Sequence, residues 1–314
     1  MKIGIIGAGA VGSATAFSLI MTGVASKIVL IDINRDKAQA EASDIAHAAP
    51  YGNNGQIIAG DYKDLEGCQV VIVAAGVNQK EGETRLDLLA HNVKIFAEIM
   101  PKIGIYAGNA VLLIATNPAD IMTAVALNIS GFPEQNVIGS GTVLDTSRFR
   151  TLLASHLELS PKSVHADVLG EHGDSEVLIW SNAEAGTLSL EEYAQSIGKP
   201  LSREQKDEIS DGVVNAAYKI IAGKGATSYG IAGAITQICR AIGNNENCIL
   251  TLSSFHHEVE GVKDVCLSLP TVINRNGIKR VIIPNLSEQE HKMLRQSAQT
   301  IKEYTQKAIA MINE

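Results

Sequence analysis

The sequence has few cysteines, few charged residues and no excess of basic ones. Its four cysteines form no Cys-x-x-Cys pair and are too few for a disulfide scaffold, so we interpret them as free thiols of a protein in a reducing cytoplasm. Only 19% of the 314 residues are charged and 46% are hydrophobic, which excludes a disordered chain. The formal net charge is −8, and nucleic-acid binding relies on clustered Lys and Arg. We therefore expect no nucleic-acid partner.

One uncharged stretch, residues 3–26, imitates a targeting or membrane segment. Glycines crowd its first half, and Ser and Thr interrupt its second half. A buried strand, a glycine turn and a buried helix explain this composition better than a signal peptide or a membrane span does. We expect a cytoplasmic protein without a membrane partner.

Short apolar runs alternate with helix-like stretches in the first half of the chain. Continuous Val, Ile and Leu runs are typical of strands that are covered on both faces, as in a parallel sheet. The pattern predicts an α/β, Rossmann-type doubly wound domain over residues 1–140. The predicted strands are residues 3–6, 28–31, 70–75, 111–116 and 137–138.

In the second half, strands and helices do not alternate strictly. We expect strands at 164–170 and 176–181, and a hairpin over 271–283 that turns at Asn276-Gly277. Capping-box pairs, Ser202 with Gln205 and Ser287 with Glu290, predict the starts of two long helices. The pattern predicts an α+β domain over residues 141–314, with a cleft between the two lobes.

The strongest local signal is a glycine-rich segment after the first predicted strand, Gly7-Ala8-Gly9-Ala10-Val11-Gly12. In this pattern the first glycine permits a tight turn, the second lets the backbone approach a pyrophosphate, and the third lets the helix pack closely. Asp32 ends the next apolar run, where a carboxylate accepts hydrogen bonds from ribose hydroxyls and repels a 2′-phosphate. The motif predicts NAD as the cofactor, and the alternative is a glycine-rich turn that binds nothing.

Three further groups of polar residues follow predicted strands or lie on predicted helices. The segment 76–85 follows one strand and Asn117 closes another, at the sheet edge where ligands bind in such folds. Taken alone, the polar loop is better explained as a solvated surface loop than as part of a site, and the alternative role of Asn117 is that of a helix cap. Asp145 and Arg148 would share one helix face. His172, in Glu-His-Gly-Asp, lacks the i,i+4 partner of a helical zinc site, so we expect no metal.

Together these segments resemble the L-2-hydroxy-acid dehydrogenases, the lactate/malate dehydrogenase family. A collinear set of motifs is far more specific than any one of them, and it favours functional roles for the polar loop and for His172. The likeness runs along essentially the whole chain, in family order: GAGAVG, Asp32, NQKEGETR, ATNP, LDTSRFR, GEHGD, KGAT and NRNG.

The resemblance implies that residues 141–314 form an α+β substrate-binding domain, and it also implies a role for each matched residue. It implies that His172 donates and accepts the proton, that Asp145 orients it, and that Arg148 binds the substrate carboxylate. Arg85 would move in with its loop and polarise the substrate carbonyl, which Asn117 would help to position. Thr227 would line the substrate pocket. The implied NAD-binding residues are Gly7, Gly9, Val11, Gly12, Asp32, Gly76 and Asn117.

Gln79 matches the position that is Gln in lactate enzymes of this family and Arg in malate enzymes. The resemblance therefore implies reversible reduction of pyruvate to L-lactate, because enclosing the second carboxylate of oxaloacetate without a cation is costly. Lys80 would serve a diacid if the loop register differed. A malate dehydrogenase, a broader L-2-hydroxy-acid dehydrogenase and a non-catalytic NAD-binding relative are the alternatives.

Arg150 and His165 match positions that bind fructose 1,6-bisphosphate in allosteric bacterial lactate dehydrogenases. The resemblance implies an effector site between subunits of a homotetramer, in a cytoplasmic enzyme of glycolysis and fermentation. One alternative is that Arg150 forms an interface salt bridge and His165 only packs. Another alternative is that the enzyme is an effector-dependent dimer. Asp167 departs from the family pattern, and a carboxylate so close to His165 would weaken anion binding.

Overall fold

The computed structural model describes residues 1–77 and 85–312, with Arg85 described by its backbone alone. The strands are β1 (Lys2–Ile6), β2 (Lys27–Ile31), β3 (Gln56–Ala59), β4 (Val70–Val73), β5 (Val111–Ile114), β6 (Val137–Gly139), β7 (Val164–Gly170), β8 (Glu176–Ala185), β9 (Leu188–Ser189), β10 (Cys248–Val259), β11 (Val262–Asn274) and β12 (Gly277–Val281). The α-helices are α1 (Ala10–Met21), α2 (Arg35–Ala48), α3 (Arg85–Ala107), α4 (Ala119–Ser130), α5 (Val143–Leu157), α6 (Leu190–Ser196), α7 (Arg203–Val214), α8 (Ala216–Lys224), α9 (Tyr229–Gly243) and α10 (Glu288–Ile312).

The first half of the chain forms a parallel sheet in the order β3-β2-β1-β4-β5-β6. This is the strand order of a doubly wound dinucleotide-binding fold, so the predicted Rossmann-type sheet is confirmed. β1 lies in the middle, with Ile3 opposite Ile28 of β2 and Val70 of β4. The segments that follow β1, β4 and β5 therefore meet at one edge of the sheet, where the candidate site lies.

Both faces of this sheet are covered by helices. In β1, Ile3 and Ile5 belong to an apolar cluster with residues of α1, α2 and α9, whereas Ile6 belongs to a cluster with α3, α4 and α10. Successive side chains of a strand point to opposite faces, so every position of such a strand is buried. This explains the uninterrupted apolar runs in the sequence.

The sheet continues into the second half of the chain. Gly139 of β6 pairs with Ser253 of β10, and the order then runs β10-β11-β7-β8-β9, with β12 on β11. A third apolar cluster, which includes Phe149 of α5 and Val168 of β7, lies in this mixed part of the fold.

Two helices of the second half pack on the faces of the first. Thr236 of α9 donates a hydrogen bond to Ser18 of α1 at 2.8 Å, and Ala298 and Ile301 of α10 enter the apolar cluster of α3 and α4. The two halves of the sequence therefore share their apolar cores.

The hairpin of β11 and β12 differs from its prediction by one residue. Asn274 pairs with Gly277, so Arg275 and Asn276 form the turn, rather than Asn276-Gly277. Gly277 has a φ of +85°, and a Cβ there would lie 2.1 Å from the carbonyl oxygen of Gln135. Gly277 therefore permits both the close approach of the Gln135 backbone and the positive φ at the end of the hairpin turn.

The four cysteines are free thiols, as expected, and Cys68, Cys239 and Cys266 are buried. Among the helices that the structure describes, none has the length and apolar character needed for a membrane span.

Candidate active site

The turn between β1 and α1 is the candidate nucleotide site. Gly7 has a φ of +106°, and a Cβ there would lie 2.8 Å from the backbone of Ala74. A Cβ on Gly12 would lie 1.8 Å from the carbonyl oxygen of Gly7. Around Gly9, by contrast, no described atom beyond Gly9 and its two chain neighbours lies within 4 Å of the Cβ position. The open space before the N-terminus of α1 fits an anionic pyrophosphate beside free N–H groups.

Asp32 joins this turn to the end of β2. One carboxylate oxygen accepts a hydrogen bond from the Ala8 N–H at 2.7 Å, and the other accepts from the Asn34 N–H at 2.9 Å. Each carboxylate oxygen has further acceptor capacity, which fits the hydroxyls of a ribose. Val11 is half-buried in the first turn of α1, and Gly76 follows β4 close to the side chain of Thr116. The residues predicted for NAD therefore lie at one edge of the sheet.

A buried amide that the sequence analysis missed links two loops at this edge. Asn92 of α3 accepts a hydrogen bond from the Val77 N–H and donates one to the Asn117 carbonyl, both at 2.9 Å. The side chain is 1% exposed. The sequence could have indicated Asn92, because it is an amide residue three positions after Leu89, on the apolar stripe of α3.

Asp145 is the centre of the candidate catalytic cluster. α5 places it one turn before Arg148, whose Nη1 donates a hydrogen bond to Asp145 Oδ1 at 2.8 Å. Asp145 Oδ2 lies 2.6 Å from His172 Nδ1. Asp145 is 1% exposed. Burial alone would raise the pKa of Asp145, but the charge and hydrogen bond of His172, together with Arg148, hold that pKa below its usual value.

His172 lies in the connection between β7 and β8, where one backbone contact and one side-chain contact fix its position. Its side chain contacts Asp145, and its backbone N–H donates to Asp120 Oδ2 of α4 at 2.7 Å. The negative charge of Asp145 raises the pKa of His172 to about 9, although burial opposes this shift. Asp120 is 2% exposed, and burial raises its pKa to about 6. Sequence analysis found no role for Asp120, because only the fold brings α4 beside His172.

A cavity of about 280 Å³ adjoins this cluster and suits a small organic acid. Asn117, Asp145, Arg148 and His172 line it, which brings four of the predicted site residues together. Its apolar walls come from α3, α4, α7, α8 and α10 through Leu88, Leu89, Pro118, Ile121, Val214, Ala217, Ile221 and Tyr304.

Three predicted substrate residues stand apart from this group. Gln79 and the side chain of Arg85 lie outside the described residues. Thr227 lies between α8 and α9 and is not among the described residues that line the cavity. The roles of these three residues stay predictions.

Glu176 also lines the cavity, although sequence analysis did not single it out. Ligand atoms of Asp145, His172 and Glu176 all lie within 4.8 Å of one another, a spacing that would also suit a shared cation. Arg148 and a protonated His172 already supply positive charge beside Asp145, so we keep the expectation that no metal is bound.

A second cavity, of about 840 Å³, holds the predicted effector residues. Arg150, His165 and Asp167 line it together with Lys162 and Arg240. Arg150 donates hydrogen bonds to the Ala166 carbonyl and to Asp167 Oδ1, each at 2.8 Å. Asp167 thus already pairs with Arg150, so a bound anion would share this guanidinium with a carboxylate.

Family models match nearly the whole chain. Residues 1–139 match the model described as lactate/malate dehydrogenase, NAD binding domain, and residues 142–312 match lactate/malate dehydrogenase, alpha/beta C-terminal domain.

Individual relatives agree with the family models. The chain is 53% identical to the L-lactate dehydrogenase of Thermus aquaticus over 96% of this chain and 97% of that protein. It is 52% identical to the L-lactate dehydrogenase of Allorhizobium ampelinum over 96% of this chain and 98% of that protein. Among solved structures, a lactate dehydrogenase from a Medee basin deep-sea metagenome library superposes with a TM-score of 0.94 and 38% identity, covering 100% of this chain and 99% of the other.

Proposed function

The chain belongs to the lactate/malate dehydrogenase family and is an NAD-dependent oxidoreductase, and from this premise we propose that it catalyses the reversible reduction of pyruvate to L-lactate. The observation that carries the proposal is the buried Asp145 carboxylate, which contacts both His172 and Arg148 beside a small cavity. Arg148 can bind a substrate carboxylate and His172 can supply a proton. Reduction of a 2-oxo acid requires both functions.

In the proposed mechanism, Arg148 binds the substrate carboxylate through its planar guanidinium. Protonated His172 donates a hydrogen bond, and then the proton, to the substrate carbonyl oxygen as negative charge grows on it. Asp145 keeps the imidazole oriented and favours its charged form. When bound, NADH supplies the hydride. In the reverse direction, neutral His172 accepts the hydroxyl proton of L-lactate.

The remaining site residues complete the proposal. Arg85 would polarise the carbonyl, Asn117 would position it, and Thr227 would contribute to the pocket. NAD would be bound by the turn from Gly7 to Gly12, including Gly9 and Val11, and by Asp32, Gly76 and Asn117. The fit of the open space at Gly9 to a pyrophosphate supports this assignment.

The pH dependence follows from the charge on His172. Pyruvate reduction needs the imidazolium, so its rate should fall as pH rises through the pKa of about 9, whereas lactate oxidation needs the neutral ring. Initial rates in both directions across that range test this expectation. A flat profile in the direction of pyruvate reduction, with hydride transfer shown to be rate-limiting, would contradict the assignment of His172.

For the choice of substrate, we propose that Gln79 accepts the methyl group of pyruvate and disfavours the second carboxylate of oxaloacetate. Relatives named L-lactate dehydrogenase at 52% and 53% identity favour pyruvate over the malate alternative. A Gln79→Arg variant should gain oxaloacetate reduction, because the guanidinium would pair with the added carboxylate. The matched control is Gln79→Met, which should gain none. No gain in the Arg variant would overturn the role of Gln79.

We further propose that the larger cavity is an effector site for fructose 1,6-bisphosphate between subunits of a homotetramer. Arg150, Lys162 and Arg240 support it by their positive charge and His165 by lining the same cavity, whereas the Arg150–Asp167 pair weakens it. Sedimentation and activity with and without the sugar bisphosphate test it, with Asp167→Asn as the variant expected to bind more tightly. If the sugar bisphosphate changes neither the sedimenting mass nor the activity of the wild type and of Asp167→Asn, the proposed effector site is wrong.

In the cell, we propose a cytoplasmic enzyme of glycolysis and fermentation, in which pyruvate reduction regenerates NAD. We also propose a division of the chain at residue 140, with the NAD-binding part in residues 1–140 and the substrate-binding part in residues 141–314. The spans of the two family models support this division.

A further inference from the structure

Glu176 is a buried carboxyl group of the substrate cavity that the mechanism above does not use. It begins β8, is 7% exposed, and lines the same cavity as Arg148 and His172. A carboxylate oxygen of Glu176 lies within 4.8 Å of the ligand atoms of Asp145 and His172. Its Oε1 is buried and receives no hydrogen bond from any described residue. An ionised carboxylate left in this way is unfavourable, so the site favours the neutral acid.

The charges that face Glu176 come from two elements. α5 contributes Asp145 and Arg148, and the connection between β7 and β8 contributes Glu171 and His172. Asp120 of α4 acts on the same histidine from its other side.

These surroundings control the ionisation of Glu176. Burial and the charge of Asp145 raise the pKa of Glu176 to about 8, although His172 and Arg148 oppose the shift. A substrate carboxylate at Arg148 would bring another negative charge to the same place, and would favour protonated Glu176 further.

We propose that Glu176 controls substrate binding through its protonation, and that the cavity accepts the carboxylate of a 2-oxo acid beside Arg148 only while Glu176 is protonated. Ionised Glu176 would compete for Arg148 and would place two carboxylates together in a buried site. The inference rests on the proposed function. It predicts that substrate binding requires two protons at high pH, one on His172 and one on Glu176.

The test is the pH dependence of 1/KM for pyruvate at saturating NADH, in the wild type and in Glu176→Gln. In the wild type, 1/KM should begin to fall near pH 8 and should steepen beyond the pKa of His172, about 9. At pH values well above both pKa values, 1/KM should fall by about a hundredfold per pH unit if binding requires two protons, and by about tenfold if it requires one. In Glu176→Gln the fall should never exceed about tenfold per pH unit.

The variant should also differ from the wild type in the position of its midpoint. This single midpoint should lie at lower pH, because the Glu176 charge no longer favours the imidazolium. Glu184→Gln, the same change at an exposed position of β8, is the control and should keep the wild-type profile. NADH binding checks that both variants fold.

Equal steepness in the wild type and in Glu176→Gln would overturn the role of Glu176 and leave the proposed function standing. A wild-type profile limited to one proton would also overturn it, and this result does not depend on the folding of any variant. Absence of pyruvate turnover by the wild type at every pH would overturn the proposed function and the inference with it.

Discussion

At the scale of single residues, the proposed function depends on a buried carboxylate that contacts a guanidinium and an imidazole. Asp145 is buried, with only 1% of its surface exposed. Its Oδ2 lies 2.6 Å from His172 Nδ1, and its Oδ1 lies 2.8 Å from Arg148 Nη1. Removing the Asp145 charge would delete two contacts and would also change the electrostatic potential at His172 and Arg148. The pKa of His172 is therefore the most informative readout of this site.

Asp145→Asn should lower the pKa of His172 toward the ordinary value of about 6.5. Near neutral pH most of the imidazole would then be neutral, and kcat/KM for pyruvate should fall by about 10²-fold or more, as expected for loss of general acid catalysis. The measurement is the pH profile of kcat/KM, with exposed Asp44→Asn as the control. An unchanged midpoint in Asp145→Asn would show that Asp145 does not set the protonation of His172.

Two glycines of the nucleotide turn should respond differently to the same added methyl group. Gly9→Ala meets no described atom within 4 Å, so folding should be nearly unaffected, whereas NADH should bind at least about tenfold more weakly, or ~1.4 kcal/mol. Gly12→Ala would place its Cβ 1.8 Å from the Gly7 carbonyl oxygen and should lower the melting temperature itself. NADH titration and thermal unfolding of both variants separate these effects. Equal loss of stability in both would contradict the account.

At the scale of elements, Glu290 holds the start of α10 against β8. Its carboxylate accepts hydrogen bonds from the backbone N–H groups of Trp180, Ser181 and Ser287. Burial would raise the pKa of Glu290, but the hydrogen bonds from Ser181 and Ser287 outweigh it and hold the pKa below its usual value. This capping box was predicted from the pair Ser287 and Glu290, whereas the attachment to β8 was not, because the partners are more than a hundred residues apart.

Glu290→Gln should lower the midpoint of thermal unfolding, by a loss of about 1–3 kcal/mol for the donors left without an acceptor. Because the pKa of Glu290 is lowered by folding, its contribution is full above the unfolded pKa of about 4.3 and is lost as pH falls through the folded pKa. The difference between variant and wild type should therefore shrink with acidification. Exposed Glu288→Gln is the control, and a difference that is constant with pH would contradict this role.

The elements also show what a sequence can predict here. The parallel strands were predictable because both faces are buried and every position is apolar. β10 was not predicted, since Ser253 and Ser254 interrupt its pattern although both are 0% exposed. Asp120 and Glu176 were missed for a related reason: each is a buried polar group whose neighbours come from other elements, and no local spacing marks such contacts. Asn92 was also missed, although its spacing from Leu89 places it on the apolar stripe of α3, because the two loops that it joins come together only in the fold.

At the scale of the whole molecule, the sequence boundary near residue 140 does not coincide with a boundary in the packing. α9 and α10 cover opposite faces of the parallel sheet, and β10 extends that sheet through Ser253. Removing residues 141–314 would expose the part of each apolar face that α9 or α10 covers.

A fragment of residues 1–140 should therefore aggregate or lose cooperative unfolding when it is produced alone. Co-expression with residues 141–314 should restore soluble protein, because the missing helices would cover the sheet again. Solubility and thermal unfolding of the fragment with and without its complement measure this. A soluble fragment that unfolds cooperatively by itself would contradict the shared core.

We propose that this molecule binds a 2-oxo acid between Arg148 and His172 and prefers one without a second carboxylate. NADH oxidation at limiting substrate, comparing kcat/KM for pyruvate and for oxaloacetate in one buffer, measures this preference. We expect a preference for pyruvate of about a hundredfold or more, because burying an unpaired carboxylate costs several kcal/mol. A preference for oxaloacetate would contradict it, and would place a cation of this chain against the second carboxylate.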